Sequence, residues 1–410
     1  MFPGIGWLLS KAEQLVRWVG RQPEARRYRE AVRAWTHVEF SQLCGFLSDY
    51  YRGEGVPLFS YRSTGGSSFR VPLFVRDEWL DLQDDSLVMT RSPDERSFEP
   101  TSIQRRFLET YLAVRPALGL TNLLWNGRIF QLVEMRSLMG KLHLRFEQGR
   151  FFDSVMSQYV LEHELRIALS RGHSGGTTLP IRRELASDMK SIETFGAKQV
   201  MRIGVSNLLL LRQSRSMYRP VIRQRGALSM GHVGDFDAVS SGVFDIATAN
   251  PAVDFDLKYK VLKEIFEELL GGAEVEQEIR ELDPEFFYER PGILEIRQML
   301  KDGRASFSVS GFCIDLVRLV PEITTVLVVR DHAYYKQYRS RFRVNLEYGP
   351  AFNSEIPRDI TDADDYLVHH FPSNPASPEG GTGFDPMRWT LPGGFCFCQG
   401  VKRSVANRLL

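Results

Sequence analysis

The stretch from Asp254 to Gly272 constrains this chain more than any other, because its periodicity fits a helix with two unlike faces. At about 100° per residue, Val261, Leu262, Ile265, Phe266 and Leu269 gather on one side, while Glu264, Glu267 and Glu268 fall within an arc of roughly 100° on the other. Asp254 offers an N-cap oxygen, Asp256 places negative charge in the first turn, and Gly271-Gly272 supplies a stop. The apolar face requires a layer to pack on. The three carboxylates repel one another at one-turn spacing, so the polar face gains from a positive partner. A solvated acidic face is the common outcome for such a pattern. Mg²⁺ or Mn²⁺ is the chemically richer one, since these cations take oxygen ligands and keep waters and substrate phosphates in their shells.

The flanks of this helix read as strands. Gln199–Leu211 is a buried run, Tyr218–Gln224 pairs with it across Ser214-Arg-Ser, and Ala238–Phe244 is extended. Ala227–Val233 leads into Gly234-Asp235. Beyond the helix, Glu274–Asp302 is charged and helical, two apolar strands surround Pro321-Glu322, and two more strands follow at Arg343–Tyr348 and Asp365–Phe371. Pro372–Pro386 is too polar and glycine-rich for core and reads as a lid or crossover, and Val401–Leu410 closes the chain as a helix.

Lys263-Glu264-Ile265-Phe266-Glu267-Glu268-Leu269 resembles the second half of the Nudix box, G-x5-E-x7-R-E-U-x-E-E-x-G-U with U apolar. The resemblance implies an α/β/α sandwich with a mixed sheet over residues 196–410. It also implies Mg²⁺ or Mn²⁺ bound by Glu264, Glu267 and Glu268 with a loop carbonyl, for which Gly234 is the candidate and Gly242 the competitor. Glu264 and Glu268 would be the catalytic carboxylates, Lys263 would hold Glu264, and Arg223 and Arg225 would reach phosphate. The departures are specific: Lys263 stands for Arg, Leu270 for Gly with Gly271 one place late, Phe255 for the first Glu and Ala249 for the first Gly. A further carboxylate from outside the box could be Glu347, Glu355, Asp362 or Asp364.

Residues 1–195 read as a separate mixed α/β domain, giving an α+β chain overall. Pro23 to about Tyr51 is helical, with Arg26, Arg27, Arg29 and Arg33 forming a basic cluster that suits either solvent or phosphate. Residues 57–76 read as a hairpin or a pair of extended segments around Gly65-Gly66-Ser67, Arg91–Pro100 as a surface loop, and Ser102–Leu118 as a helix. Asn126-Gly127 is the strongest hairpin signal. A strand from Gly140 and a helix over Phe152–Leu169 follow, and the boundary lies in a polar connector at residues 180–200. Gly172-His173-Ser174-Gly175-Gly176 matches a nucleophile elbow in letters but lacks the preceding strand, and His163-Glu164 lacks the second histidine of a zinc-protease helix.

With 52 basic and 51 acidic residues the chain has no global bias toward nucleic acid or membrane. Cys44, Cys313, Cys396 and Cys398 are too scattered for a disulfide framework, which fits a reduced, cytoplasmic setting; Cys396-x-Cys398 reads as alternate strand positions or a buried turn. No apolar run is long enough to span a bilayer, and the apolar residues between Ile5 and Val19 suit packing on the body or a partner more than a membrane surface, since the segment is not rich in basic residues. Two functions follow as expectations. One is a metal-dependent hydrolase of a nucleoside diphosphate linked to another moiety. The other is a non-catalytic nucleotide-sensing or regulatory protein whose N-terminal half binds a partner, with room for a homodimer.

Overall fold

In a computed structural model the chain is described over residues 22–62, 68–80, 82–118, 126–172, 179–194, 199–225, 235–270, 285–339, 342, 348–350, 356–357 and 388–410. The expected strand or loop segments at 227–233, Arg343–Glu347 and Asp365–Pro386 lie outside these residues, as do Gly234 and the four candidate carboxylates outside the box.

The first part comprises helices α1 (Gln22–His37) and α2 (Phe40–Gly53), strands β1 (Leu58–Arg62), β2 (Ser68–Phe74) and β3 (Leu87–Glu95), helix α3 (Ser102–Val114) and the hairpin β4 (Arg128–Leu138) and β5 (Lys141–Arg150). Helix α4 (Phe151–Ser154) runs through a π-helical stretch at Val155–Tyr159 into α5 (Val160–Ser170), and α6 (Pro180–Ala186) and α7 (Met189–Thr194) follow. The second part comprises β6 (Met201–Arg202), β7 (Gly204–Arg212), β8 (Met217–Arg225), β9 (Phe236–Ala238), β10 (Ser241–Val243), α8 (Pro251–Asp254), α9 (Leu257–Glu268), α10 (Ile293–Lys301), β11 (Ala305–Asp315), β12 (Val320–Val329), α11 (His332–Tyr338), β13 (Tyr348–Pro350), β14 (Ile356–Pro357) and α12 (Leu391–Ala406). The fold is α+β.

The larger sheet has the order β1-β2-β11-β12-β7-β8-β13, with β10 on β7 and both β9 and β14 on β8; the smaller has the order β3-β5-β4-β6. Within the larger sheet β12 and β7 are parallel, from Glu322↔Gly204 to Val329↔Leu211, and their neighbours are antiparallel. Side chains alternate along β7. Leu208 therefore faces α12, where Gly400 approaches it, whereas Asn207 turns to the other face and donates to the Ser240 hydroxyl at 3.2 Å, beside α9. Helices thus cover both faces of the mixed sheet.

The boundary near residue 195 does not separate two self-contained sheets. Strand β2 pairs with β11 through Phe74↔Ile314, and β6 pairs with β4 through Met201↔Leu132. A further bridge joins Ile129 to Asp245, flanked by Phe130 N–H to Phe244 O and Ile246 N–H to Arg128 O, both 2.9 Å. Phe130, Phe146, Phe244 and Phe255 cluster at this joint, with Phe255 edge-to-face on Phe130 at 4.9 Å and on Phe146 at 5.3 Å between ring centres. The buried Arg182 adds a pin: its guanidinium donates to Leu316 O, Val317 O and Leu161 O and to the Tyr51 hydroxyl.

Several local readings need correction. The Arg91–Pro100 loop is partly β3, an edge strand whose mostly exposed side chains hide it. Asn126-Gly127 precedes β4, and the hairpin turns instead at Met139-Gly140, both at positive φ. Pro321-Glu322 lies inside β12, and the turn occupies residues 316–319 with Leu319 at φ 57°. The last helix begins ten residues earlier than Val401, with the Thr390 hydroxyl accepting from Gly393 N–H at 3.1 Å, so Cys396 and Cys398 are buried helical residues.

Candidate functional site

Helix α9 begins two residues later than the composition suggests. Asp256 is its N-cap, accepting from Tyr259 N–H at 2.8 Å. Asp254 closes the preceding turn instead, taking Thr248 N–H at 3.0 Å and the Thr248 hydroxyl at 2.9 Å. The expected apolar face is in the core, with Val261 and Ile265 fully buried. The acidic face is buried too: Glu264 is 8% exposed and Glu268 9%, while Glu267 is half-buried. A carboxylate removed from water in this way must find a compensating charge or hydrogen bonds.

The compensation comes from lysines on the same helix and arginines on β8. Lys260 Nζ donates to both Glu264 Oε1 and Asp245 Oδ1, and Lys263 Nζ donates to Asp245 Oδ2 at 2.6 Å. Glu268 accepts Arg223 Nη1 on one oxygen and Ser240 N–H, at 2.9 Å, on the other. Arg223 also donates to Ser241 O at 3.2 Å and lies 3.6 Å from Asp237, which accepts Arg225 Nη1 at 2.9 Å. Two runs of alternating basic and acidic side chains result, Arg225-Asp237-Arg223-Glu268 and Glu264-Lys260-Asp245-Lys263, and they meet at Glu268 and Glu264 to form one ladder. Burial, with a smaller contribution from adjacent Glu264, raises the Glu268 carboxyl to about 8 against the pull of Arg223 and the Ser240 N–H. Lys260 moves upward: burial favours the neutral amine, but Asp245 and Glu264 together outweigh it.

The loop between β9 and β10 is shaped to this ladder. Ser240 sits at φ 62°, which presents its amide to Glu268. Gly242 lets the backbone pass the helix, since a Cβ there would come within 2.7 Å of Glu264 Oε1. Gly234, the other candidate for a loop ligand, lies outside the described residues.

The structure brings Glu264, Glu268, Lys263 and Arg223 into one cluster, with Arg225 at its edge, but in roles other than those expected. Arg223 and Arg225 serve internal carboxylates rather than an open phosphate site, and the bond to Glu264 comes from Lys260 while Lys263 serves Asp245. As arranged, these residues do not fit a divalent cation, which would have to sit among four positive charges and displace bonds that the carboxylates already accept. Among the described residues no group of three or more His, Cys, Asp or Glu is placed to hold a metal ion. Sequence reasoning missed Lys260, Asp245, Asp237 and Ser240. Only Lys260 carried a signal, its spacing of four from Glu264.

Among the described residues no helix is long and apolar enough to cross a membrane. A scan of protein-family models and a search of curated proteins each return no match to this sequence.

Proposed function

We propose that the chain is a non-catalytic regulatory protein that keeps a Nudix-like scaffold for binding a nucleotide, while its N-terminal half contacts a partner. The observation that supports this reading is the buried ladder: Glu264 and Glu268, the carboxylates that would catalyse, are bonded internally to Lys260 and Arg223. A hydrolase of this kind needs carboxylates free to hold a cation that lowers the pKa of water and neutralises diphosphate oxygens. Here Lys260 already bonds one oxygen of Glu264, and Arg223 with the Ser240 amide bonds both oxygens of Glu268. The nucleotide part of the reading rests on the resemblance of the helix sequence and on the mixed sheet that it packs against.

One observation favours the hydrolase reading: Gly242 brings the backbone of β10 against Glu264, where a main-chain carbonyl and a helix carboxylate could share a metal ion. The two readings separate in one assay. The full chain is incubated with Mg²⁺ or Mn²⁺ and ADP-ribose, a dinucleotide or a nucleotide sugar, and both binding and mononucleotide release are measured. The expected result is saturable binding of at least one of them without release, unchanged in Glu267→Gln. Release that Glu267→Gln and Glu268→Gln both abolish overturns the proposal in favour of the hydrolase, and absence of binding to every member removes its nucleotide part.

A further inference from the structure

Away from the ladder, α1, α3, α5 and the start of α6 enclose a groove of about 540 Å³. Its walls are mainly apolar, with Phe107, Val160, Ile167 and Ile181 contributing, and Ile103 stands on the rim 57% exposed. This volume lies within the roughly 300–1,000 Å³ of small-molecule sites, where apolar walls carry a few placed polar groups.

The polar groups at this groove are not balanced. Both of its acids are already committed: Glu30 accepts Arg171 Nε, and Glu164 accepts the Ile181 and Arg182 amides at 2.7 and 3.0 Å, capping α6. Arg171 is thereby committed as well. Arg27 and Arg106 remain, two exposed guanidiniums on opposite helices that form no ion pair among the described residues. His163 adds a donor. Its Nδ1 accepts Trp35 Nε1–H at 3.0 Å, so in the neutral ring Nε2 carries the hydrogen. An apolar hollow with two unspent positive charges and one donor is complementary to an amphiphile with a negative head.

We propose that this groove binds a small organic anion, its aliphatic or aromatic body against Phe107, Val160, Ile167 and Ile181 and its carboxylate or phosphate held by Arg27 and Arg106. The site is independent of the α9 ladder and does not depend on whether that ladder serves a nucleotide. Both arginines are exposed, so replacing them leaves the core untouched.

The test uses the full chain with 8-anilinonaphthalene-1-sulfonate as fluorescent probe and octanoate, octyl phosphate and octanol as competitors. Single-site binding of the probe is expected, displaced by octanoate and octyl phosphate well before octanol. Arg27→Gln and Arg106→Gln each weaken binding by roughly tenfold, the loss of one charge-assisted contact, with unfolding midpoints unchanged. The indole N–H resonance of Trp35, assigned through Trp35→Phe, shifts on titration with octyl phosphate. Absence of binding, equal displacement by octanol, or unaltered affinity in both arginine variants would each overturn the proposal.

Discussion

Removing Arg223 tests the ladder most directly. In Arg223→Met, Glu268 keeps only the Ser240 N–H, at 2.9 Å, while Asp237 retains Arg225. Both side chains of the lost pair are buried, 3% exposed for Arg223 and 8% for Glu268. Stripping one partner from a buried pair costs about 3–5 kcal/mol, and the surviving amide contact places this case near 3. The penalty should depend on pH with a definite sign. Burial already holds the Glu268 carboxyl above its unfolded value, and losing the guanidinium raises it further. The folded variant therefore favours the protonated acid, so its stability is greatest below the unfolded carboxylate range and falls as pH rises through the folded value. Urea unfolding followed by circular dichroism should show a smaller deficit at pH 5 than at pH 8. Adding Glu268→Gln, which keeps an acceptor for Ser240, should recover at least about 2 kcal/mol at pH 8 as a coupling energy. A deficit below about 1 kcal/mol at pH 8 would refute the argument that these side chains are buried and mutually compensated.

Two further outcomes follow from the same physics. At Gly204 an added Cβ would run into the carboxyl of Glu322, a buried side chain that accepts the Ser206 hydroxyl, so Gly204→Ala should cost about 1–3 kcal/mol in urea unfolding and Glu322→Ala should relieve part of it. Burial pushes His163 down to about 4, so the folded state favours the neutral ring; acid stability is lost as pH falls from the unfolded value toward 4, and His163→Gln should flatten this pH dependence by up to about 3 kcal/mol.

Much of the fold was legible because it rests on periodicity. The apolar side of α9 and the strand pair β7 and β8 follow from spacing within single segments. Helix α12 was half hidden because Gly393 and Gly394 argue against a helix, yet Gly393 lies where a Cβ would strike Asp237. The two acidic residues before α9 are equivalent as letters, and Pro251 decides between them by opening a turn that takes Asp254. The ladder was not legible. Asp245 and Asp237 come from separate strand ends with no local pattern, and the acidic face of α9 reads as exposed until the loop carrying Ser240 is seen to cover it.

The pairing of Phe74 with Ile314 has a consequence for how the chain leaves the ribosome. Strand β2 is synthesised about 240 residues before the strand that completes its edge, and at roughly 5–20 residues per second that interval is on the order of 12–48 seconds. Throughout it the hairpin of β1 and β2 offers unpaired backbone groups to any neighbouring nascent chain. The first half of this protein is thus a folding debt carried until the second half arrives, and truncations between the two should be insoluble.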